Sequence, residues 1–405
     1  MRILVVNCGS SSLKFKLYDL TAAATLMAEG LVEEIGREKS RFTYKSNKSP
    51  DKRVLEVVAK DHTQAVAAMK DALLHPEYGL FQGTIEVDAV GHRVVHGGEK
   101  FSNSALVTPG VRGAIAECIA IAPLHNPPNL AGITACETTF PGLPQVAVFD
   151  TAFHQTMPPH VFMYGLPYEQ YDVHHIRKYG FHGTSHEFVA RRCAELLKKD
   201  FDEVNLITCH LGNGSSITAV KRGKSFDTSM GLTPLEGVLM GTRTGDMDPA
   251  VVLYIMDKQK LTPQEMNKLL NNMSGVKGIS GVSNDMRLLL EKADAGHRRA
   301  QLALDIFVYR IVKYIGAYVA AMGGADAIVF TGGIGENATA IRARIIEPLA
   351  FIGAELDPVR NGSDAKEKVI TTDTSRLAAW VVPTNEELSI AQKTRAIVES
   401  QLRAG

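Results

Sequence analysis

The chain is 405 residues long, with 44 Lys and Arg balanced by 44 Asp and Glu. That length exceeds one ordinary core and predicts two domains of roughly 150 to 250 residues. Zero net charge excludes a broad attraction to nucleic acid or an anionic membrane, so any anion site must be built locally.

In chain order, RILVVN (2–7) is a buried strand by composition, and too short an apolar run for a signal peptide. SLKFKLYD (12–19) alternates as a half-buried strand, with CGSSS as the turn between. DAVGHRVVH (88–96) and QVAVFD (145–150) are further strands. Between them the Pro-rich APLHNPPN (122–129) reads as a shaped loop, neither regular helix nor central strand. A helix follows over 184–199. NLITCHL (205–211), the turn GNGSS and ITAVKRG (217–223) then repeat the strand, Gly/Ser turn, strand design of the N-terminus, which predicts a duplicated architecture. A helix over 301–321 carries Ala303, Phe307, Ile311, Ile315 and Val319 as an apolar stripe, and DAIVFTGG (326–333) is a strand.

This alternation reads as α/β, in two domains that touch and leave a cleft between them, since no long linker separates them. The most apolar stretch, 302–331, contains Arg310, Lys313 and Asp326 and breaks at Gly323-Gly324, so it is no membrane span. Cys8, Cys118, Cys136, Cys193 and Cys209 are odd in number and never spaced as CxxC, the pattern of reduced thiols in a cytoplasmic protein.

Three turns suit a phosphate chain, which needs converging N–H and hydroxyl donors on a backbone that Gly allows to come close. The first, from Asn7 to Lys14, offers three hydroxyls, with Ser12 and Lys14 on one strand face. The second runs from His210 to Ser216, and the third, from Thr331 to Asn337, joins a strand end to a helix start. A GxxxxGK[ST] loop, the protein-kinase HRD and DFG set and a dinucleotide fingerprint are all missing.

NCGSSSLKF at the N-terminus, GHRVVHGG (91–98), FHGTSH (181–186), HLGNGSS (210–216), GTRTGDMDP (241–249), TGGIGEN (331–337) and PTNEEL (383–388) together resemble the acetate kinase (acetokinase) family, collinearly from end to end. The resemblance implies two related domains of the actin, Hsp70 and sugar-kinase ATPase type around an interdomain nucleotide cleft. The first would span 1–150, completed by the C-terminal helix 386–405, and the second, 151–385, would bind nucleotide. It also implies a homodimer using ATP/ADP and Mg2+, with Mn2+ as an alternative, to interconvert acetate and acetyl phosphate. Position by position, Asn7 and Glu386 match metal-site residues, and Ser12 and Lys14 the first phosphate turn. Arg93 matches the substrate-binding arginine, and Asp150, His182 and Arg243 the catalytic set. The segments His210-Leu211-Gly212-Asn213-Gly214, Asp285-Met286-Arg287 and Gly333-Ile334-Gly335-Glu336-Asn337 match the ATP-binding segments. Met286 is read as a mid-loop apolar residue beside adenosine. Val95, Leu124, Phe181 and Pro234 match a small apolar pocket.

These residue types suit the chemistry. An anionic acid must approach an anionic phosphate, and two arginines can neutralise both. A short fatty acid is already ionised at neutral pH, so Asp150 is expected to orient an arginine or a Mg2+-bound water and not to act as a base. Thr384 and Glu387 are spaced as a capping box, which leaves Glu386 as the metal candidate. His92 and His96 flank Arg93 and, on a strand, point away from it. His125, in the Pro-rich loop, matches a family position near the active site. His62, His154, His160, His174 and His175 read as surface or loop residues. Val95, two residues beyond Arg93, is expected to share its strand face and to favour acetate. A methylene is worth only about 1–3 kcal/mol, so propionate should react more weakly, and propionate kinase is the near rival. A non-catalytic nucleotide switch or a sugar kinase on the same fold is the more distant one.

Overall fold

Asn7 lies opposite Lys14, and Gly9 opposite Ser12, in an antiparallel pairing of Arg2–Gly9 (β1) with Ser12–Asp19 (β2). Only Ser10 and Ser11 remain as the turn, a two-residue hairpin. In the computed structural model, which describes residues 1–404, this hairpin opens the first of two units. That unit comprises residues 1–155 and the chain from Asn385 onward; residues 156–384 form the second.

The first unit is an eight-stranded sheet completed by Thr25–Glu33 (β3), Ser40–Ser46 (β4), Arg53–Val57 (β5), Ala89–Val94 (β6), Ala105–Leu106 (β7) and Gln145–Phe149 (β8), ordered β5-β4-β3-β2-β1-β6-β8-β7. β1, β6 and β8 run parallel. Alternation along β1 divides two cores. Leu4, Val6 and Cys8 face one side with Met69 and Cys136 from helices His62–Leu74 and Asn126–Thr139. Ile3 and Val5 face the other, with Val146, Val148, Ile390 and Ala391, beneath the C-terminal helix Glu386–Ala404. Gly91 lets that helix approach, since a Cβ there would overlap the Thr394 hydroxyl and lie 2.9 Å from Ile390 Cγ2.

In the second unit, Asn205–Leu211 (β9), Ser215–Lys221 (β10), Lys224–Thr228 (β11), Ala327–Thr331 (β12), Lys368–Val369 (β13) and Ala378–Val381 (β14) are ordered β11-β10-β9-β12-β14-β13. The duplication is explicit. β3-β2-β1-β6-β8 and β11-β10-β9-β12-β14 are the same motif, three antiparallel strands followed by two that run parallel to the first. This is the paired α/β ATPase design expected from the sequence.

Three readings need correction. The Pro-rich segment is loop only as far as His125; Asn126 opens a helix with Pro127 and Pro128 in its first turn, where a missing N–H costs nothing. The strand expected to reach residue 333 stops at Thr331, and Gly332–Asn337 is already helix. The long helix runs Arg298–Met322, with Ala303, Phe307, Ile311 and Ile315 buried, but Tyr318 and Met322, not Val319, complete the buried stripe. Steps of four drift by about 40° each on a 3.6-residue helix. All five cysteines are buried and free. Among the described residues no helix is long and apolar enough to cross a membrane.

Candidate active site

At the C-terminal ends of β1, β6 and β8 the first unit gathers charge. Val5 pairs with Gly91 in the parallel ladder, so Asn7 and Arg93, two residues further along, project from the same face, as does Lys14 opposite Asn7. Asp150 immediately follows β8, its N–H bonded to the Val94 carbonyl. The Arg93 guanidinium donates to Asp150 Oδ2 from Nε at 3.0 Å and Nη2 at 2.6 Å. Asp150 is 1% exposed, and its Oδ1 is buried with no partner among the described residues. The Asp150 charge raises the guanidinium above its usual range.

Glu386, the first residue of the C-terminal helix, faces this pair. Burial pushes its carboxyl up to about 7; the Arg93 charge opposes the shift, and Asp150 and Glu387 add to it. Burial would also raise Glu387, but it is held below the ordinary value by the hydrogen bond and charge of Lys14 and by Lys16.

The second unit supplies another set. His182 stands in the left-handed region, φ 58° and ψ 20°, just before helix Gly183–Leu197. A non-glycine residue there costs roughly 1–2 kcal/mol. Its ring is tied down by Nδ1 on Ser216 Oγ at 2.9 Å and stacks on His210 at 4.3 Å between centroids. A Cβ on Gly214 would lie 3.5 Å from Arg243 Nη1 and 3.6 Å from His182 Nε2, so both donors stand over a turn that glycine keeps open. Arg243 Nη1 also donates to the Pro234 carbonyl at 3.2 Å. Its loop is anchored through Asp246, which accepts from the Gly237 N–H at 2.7 Å and the Tyr314 hydroxyl at 2.6 Å, and through the Tyr164 bond to Glu236. Thr331 pairs with His210, so the turns after β9 and β12 lie side by side.

The family model described as the acetokinase family matches residues 2–392. An acetate kinase from Desulfitobacterium hafniense is 53% identical over 98% of this chain and 100% of its own length. One from Methanosarcina thermophila is 52% identical over 100% and 98%. The crystal structure of Porphyromonas gingivalis acetate kinase superposes with a TM-score of 0.94 at 47% identity, covering 98% of this chain and 99% of that one. The chain belongs to the acetokinase family.

For a member of the acetokinase family, the expected residues fall into two groups. Asn7, Ser12, Lys14, Arg93, Asp150 and Glu386 belong to the first unit, and His182, His210–Gly214, Arg243, Asp285–Arg287 and Gly333–Asn337 to the second. Asn284 joins the Asp285 segment to the 210–214 turn, donating to Asn213 Oδ1 at 2.9 Å. Asp285 caps helix Met286–Asp294 and pairs with Arg287, whose hydrogen bond lowers the carboxyl to about 2. The Arg287 side chain is 92% exposed.

Several details differ from expectation. Met286 is no mid-loop residue; it opens that helix and is buried in the core of its unit. Glu336 turns inward, accepting from the N–H groups of Gly332 at 3.0 Å and Thr384 at 3.2 Å, so it closes the third turn instead of leaving it open. The Thr384–Glu387 capping box is absent. Asn385 caps the last helix, accepting from the Leu388 N–H at 3.2 Å, because Lys14 and Lys16 claim the Glu387 carboxylate. β6 ends at Val94, so Val95 has left the strand; its N–H goes to Asn129 Oδ1 at 3.0 Å. Leu124 is 63% exposed, whereas Phe181 is buried. His154, read as a surface or loop residue, is buried in the short helix Ala152–Thr156.

Sequence reasoning missed two supports. Asn126 and Asn129 are buried and clamp the exit of β6, Asn126 through the His96 backbone and Asn129 through Val95 N–H and the Cys8 carbonyl. Their signal was polar residues at helical spacing around Pro-Pro. His186, on the helix that His182 precedes and four residues after it, was the other.

Proposed function

We propose that this chain catalyses reversible, Mg2+-dependent phosphoryl transfer from ATP to acetate, giving acetyl phosphate and ADP by direct in-line transfer. The observation that carries the reading is Arg93 gripped through a single oxygen of a buried carboxylate, Asp150, beside Glu386 and Lys14. A guanidinium oriented this way keeps donors for the carboxylate of acetate, whose charge would otherwise oppose approach to phosphate. Acetate arrives ionised, so no base is needed, and Asp150 serves to position Arg93.

Asn7, the orphaned Asp150 Oδ1 and Glu386 are hard oxygen donors that fit Mg2+ (or Mn2+). Among the described residues no three His, Cys, Asp or Glu side chains gather as a closed ligand set, and Mg2+ keeps waters and substrate oxygens in its shell. When bound, the ion would offset phosphate charge. Lys14 and Ser12 are assigned to the phosphates, and His210–Gly214, Asp285–Arg287 and Gly333–Asn337 to ATP, with Glu336 acting through the backbone it braces. His182 and Arg243 donate to the oxygens of the transferring group. Removing one such donor costs about 2.7–4 kcal/mol of barrier.

Val95, Leu124, Phe181 and Pro234 are assigned to the acid's methyl end. Propionate is the second reading, because a propionate kinase from Francisella tularensis matches with a TM-score of 0.90 at 44% identity, covering 98% of this chain and 99% of that one. A homodimer fits the apolar surface of helix Pro249–Gln259, which buries none of its residues and exposes Leu253 and Tyr254. Reduced, buried thiols fit a cytoplasmic enzyme.

The test supplies Mg-ATP with acetate, propionate, butyrate or glucose and traps acyl phosphate with hydroxylamine. Acetate should give hydroxamate fastest and propionate more slowly. Acid-independent hydrolysis, or ADP formed only with glucose, would overturn the assignment.

A further inference from the structure

Behind His182 lies a line of buried polar groups. Ser216 Oγ is 2.9 Å from His182 Nδ1 and 2.7 Å from His186 Nε2, and His186 Nδ1 is 2.7 Å from Thr208 Oγ1. Thr208, Ser216 and His186 are each 0% exposed. Thr208 Oγ1 donates to the Thr218 carbonyl at 3.5 Å, which leaves its lone pairs for His186 Nδ1–H. His186 Nε2 then accepts the Ser216 hydroxyl proton, and the Ser216 oxygen accepts from His182 Nδ1–H.

We infer that His186, acting through Ser216, is a positioning residue that fixes the proton on His182 Nδ1 and aims Nε2 at the Gly214 turn beside Arg243. Nε2 is thereby the nitrogen that meets the transferring group, and it donates there when the ring carries a proton on both nitrogens. The same link holds the ring against its left-handed backbone. This inference rests on the assignment of His182 to the phosphoryl group.

The experiment combines kinetics with nitrogen-15 NMR of the imidazole rings in the full chain, using His186→Gln and Ser216→Ala, each alone and on His182→Ala. Each single change should lower kcat about 10- to 100-fold, with KM for ATP and acetate within about threefold, because a donor is misplaced but substrate contacts remain. On the His182→Ala background the same changes should move kcat less than about twofold, since the relay acts only through His182. The neutral His182 ring should carry its proton on Nδ1 in the wild type and become a mixture in Ser216→Ala. A kcat loss that persists without His182, or an Nε2–H ring in the wild type, overturns the relay. Ser216→Ala, a one-atom deletion, carries the test if His186→Gln does not fold. Should the wild type fail to phosphorylate acetate, the functional assignment falls, while the NMR still decides the relay.

Discussion

Asp150 grips Arg93 through Oδ2, at 2.6 Å from Nη2 and 3.0 Å from Nε, and keeps Oδ1 buried with no partner among the described residues. A buried carboxylate oxygen with no donor is costly unless a cation or donor completes it. One residue thus fixes the guanidinium and keeps a second oxygen that, on the proposed function, a metal ion would complete.

Replacing Asp150 should therefore damage both. Asp150→Ala leaves the Arg93 charge without its partner, and breaking such a pair costs about 3–5 kcal/mol when fully buried, less here because the Arg93 side chain is 25% exposed. The expected result is a loss of at least about 100-fold in kcat/KM, with half-maximal activity shifted to higher Mg2+. Activity titrated against Mg2+ checks this, and an unchanged metal dependence would contradict it.

Gly91→Ala should act on the C-terminal helix. The added methyl would overlap the Thr394 hydroxyl and crowd Ile390, at about 1–3 kcal/mol of overpacking. That helix carries Glu386, so activity should fall with stability. Adding Thr394→Ala should restore part of both, as read from urea midpoints and initial rates; no rescue would show that the helix does not press on β6 at this point.

Gly214→Ala separates site from fold. Its φ is ordinary and its new Cβ meets nothing closer than 3.5 Å, so the unfolding midpoint should hardly move. The methyl would nevertheless stand between His182 and Arg243. A kcat loss of about tenfold or more at unchanged Tm is expected; a fully active variant would remove the Gly214 turn from the site.

His92 predicts a pH dependence of stability. It is buried with Nε2 2.5 Å from Gln145 Oε1, and burial holds its imidazole down at about 4, an effect the hydrogen bond opposes. Between about 6.5 and about 4 the unfolded chain binds a proton that the folded chain refuses. Stability from this residue is therefore complete above about 6.5 and declines by about 3 kcal/mol as pH falls to about 4, then levels. Urea unfolding at pH 7 and 4.5 should show a smaller difference for His92→Gln than for the wild type.

The first hairpin and the duplicated turn were legible because period-two alternation and Gly/Ser turns are local signals. The Asn7–Lys14 register was not, because Cys8 and Gly9, read as turn, extend the first strand. Arg93, Asp150 and Glu386 meet only through the β1–β6–β8 register and the return of the last helix, which no local pattern encodes. There the family resemblance supplied the residues and the fold supplied the reason. Where a side chain had two jobs available, local rules misjudged it. Glu387 fits a capping box by spacing, yet a carboxylate between two lysines gains more from them. Glu336 accepts from the Gly332 and Thr384 N–H groups, a bracing job that the Gly-rich pattern of its turn does not show. The polar supports, Asn126, Asn129 and His186, were missed because a buried polar side chain looks in sequence like an exposed one.

The claim on which the account depends is that the carboxylate of acetate lies on Arg93. Steady-state kinetics of Arg93→Ala, with acetate and Mg-ATP varied independently, tests it most directly. The account expects the acetate KM to rise more than about tenfold and kcat/KM for acetate to fall about 100- to 1,000-fold, with the ATP KM within about threefold. An acetate KM that stays put, or a defect confined to ATP, would place the acid elsewhere and contradict the account.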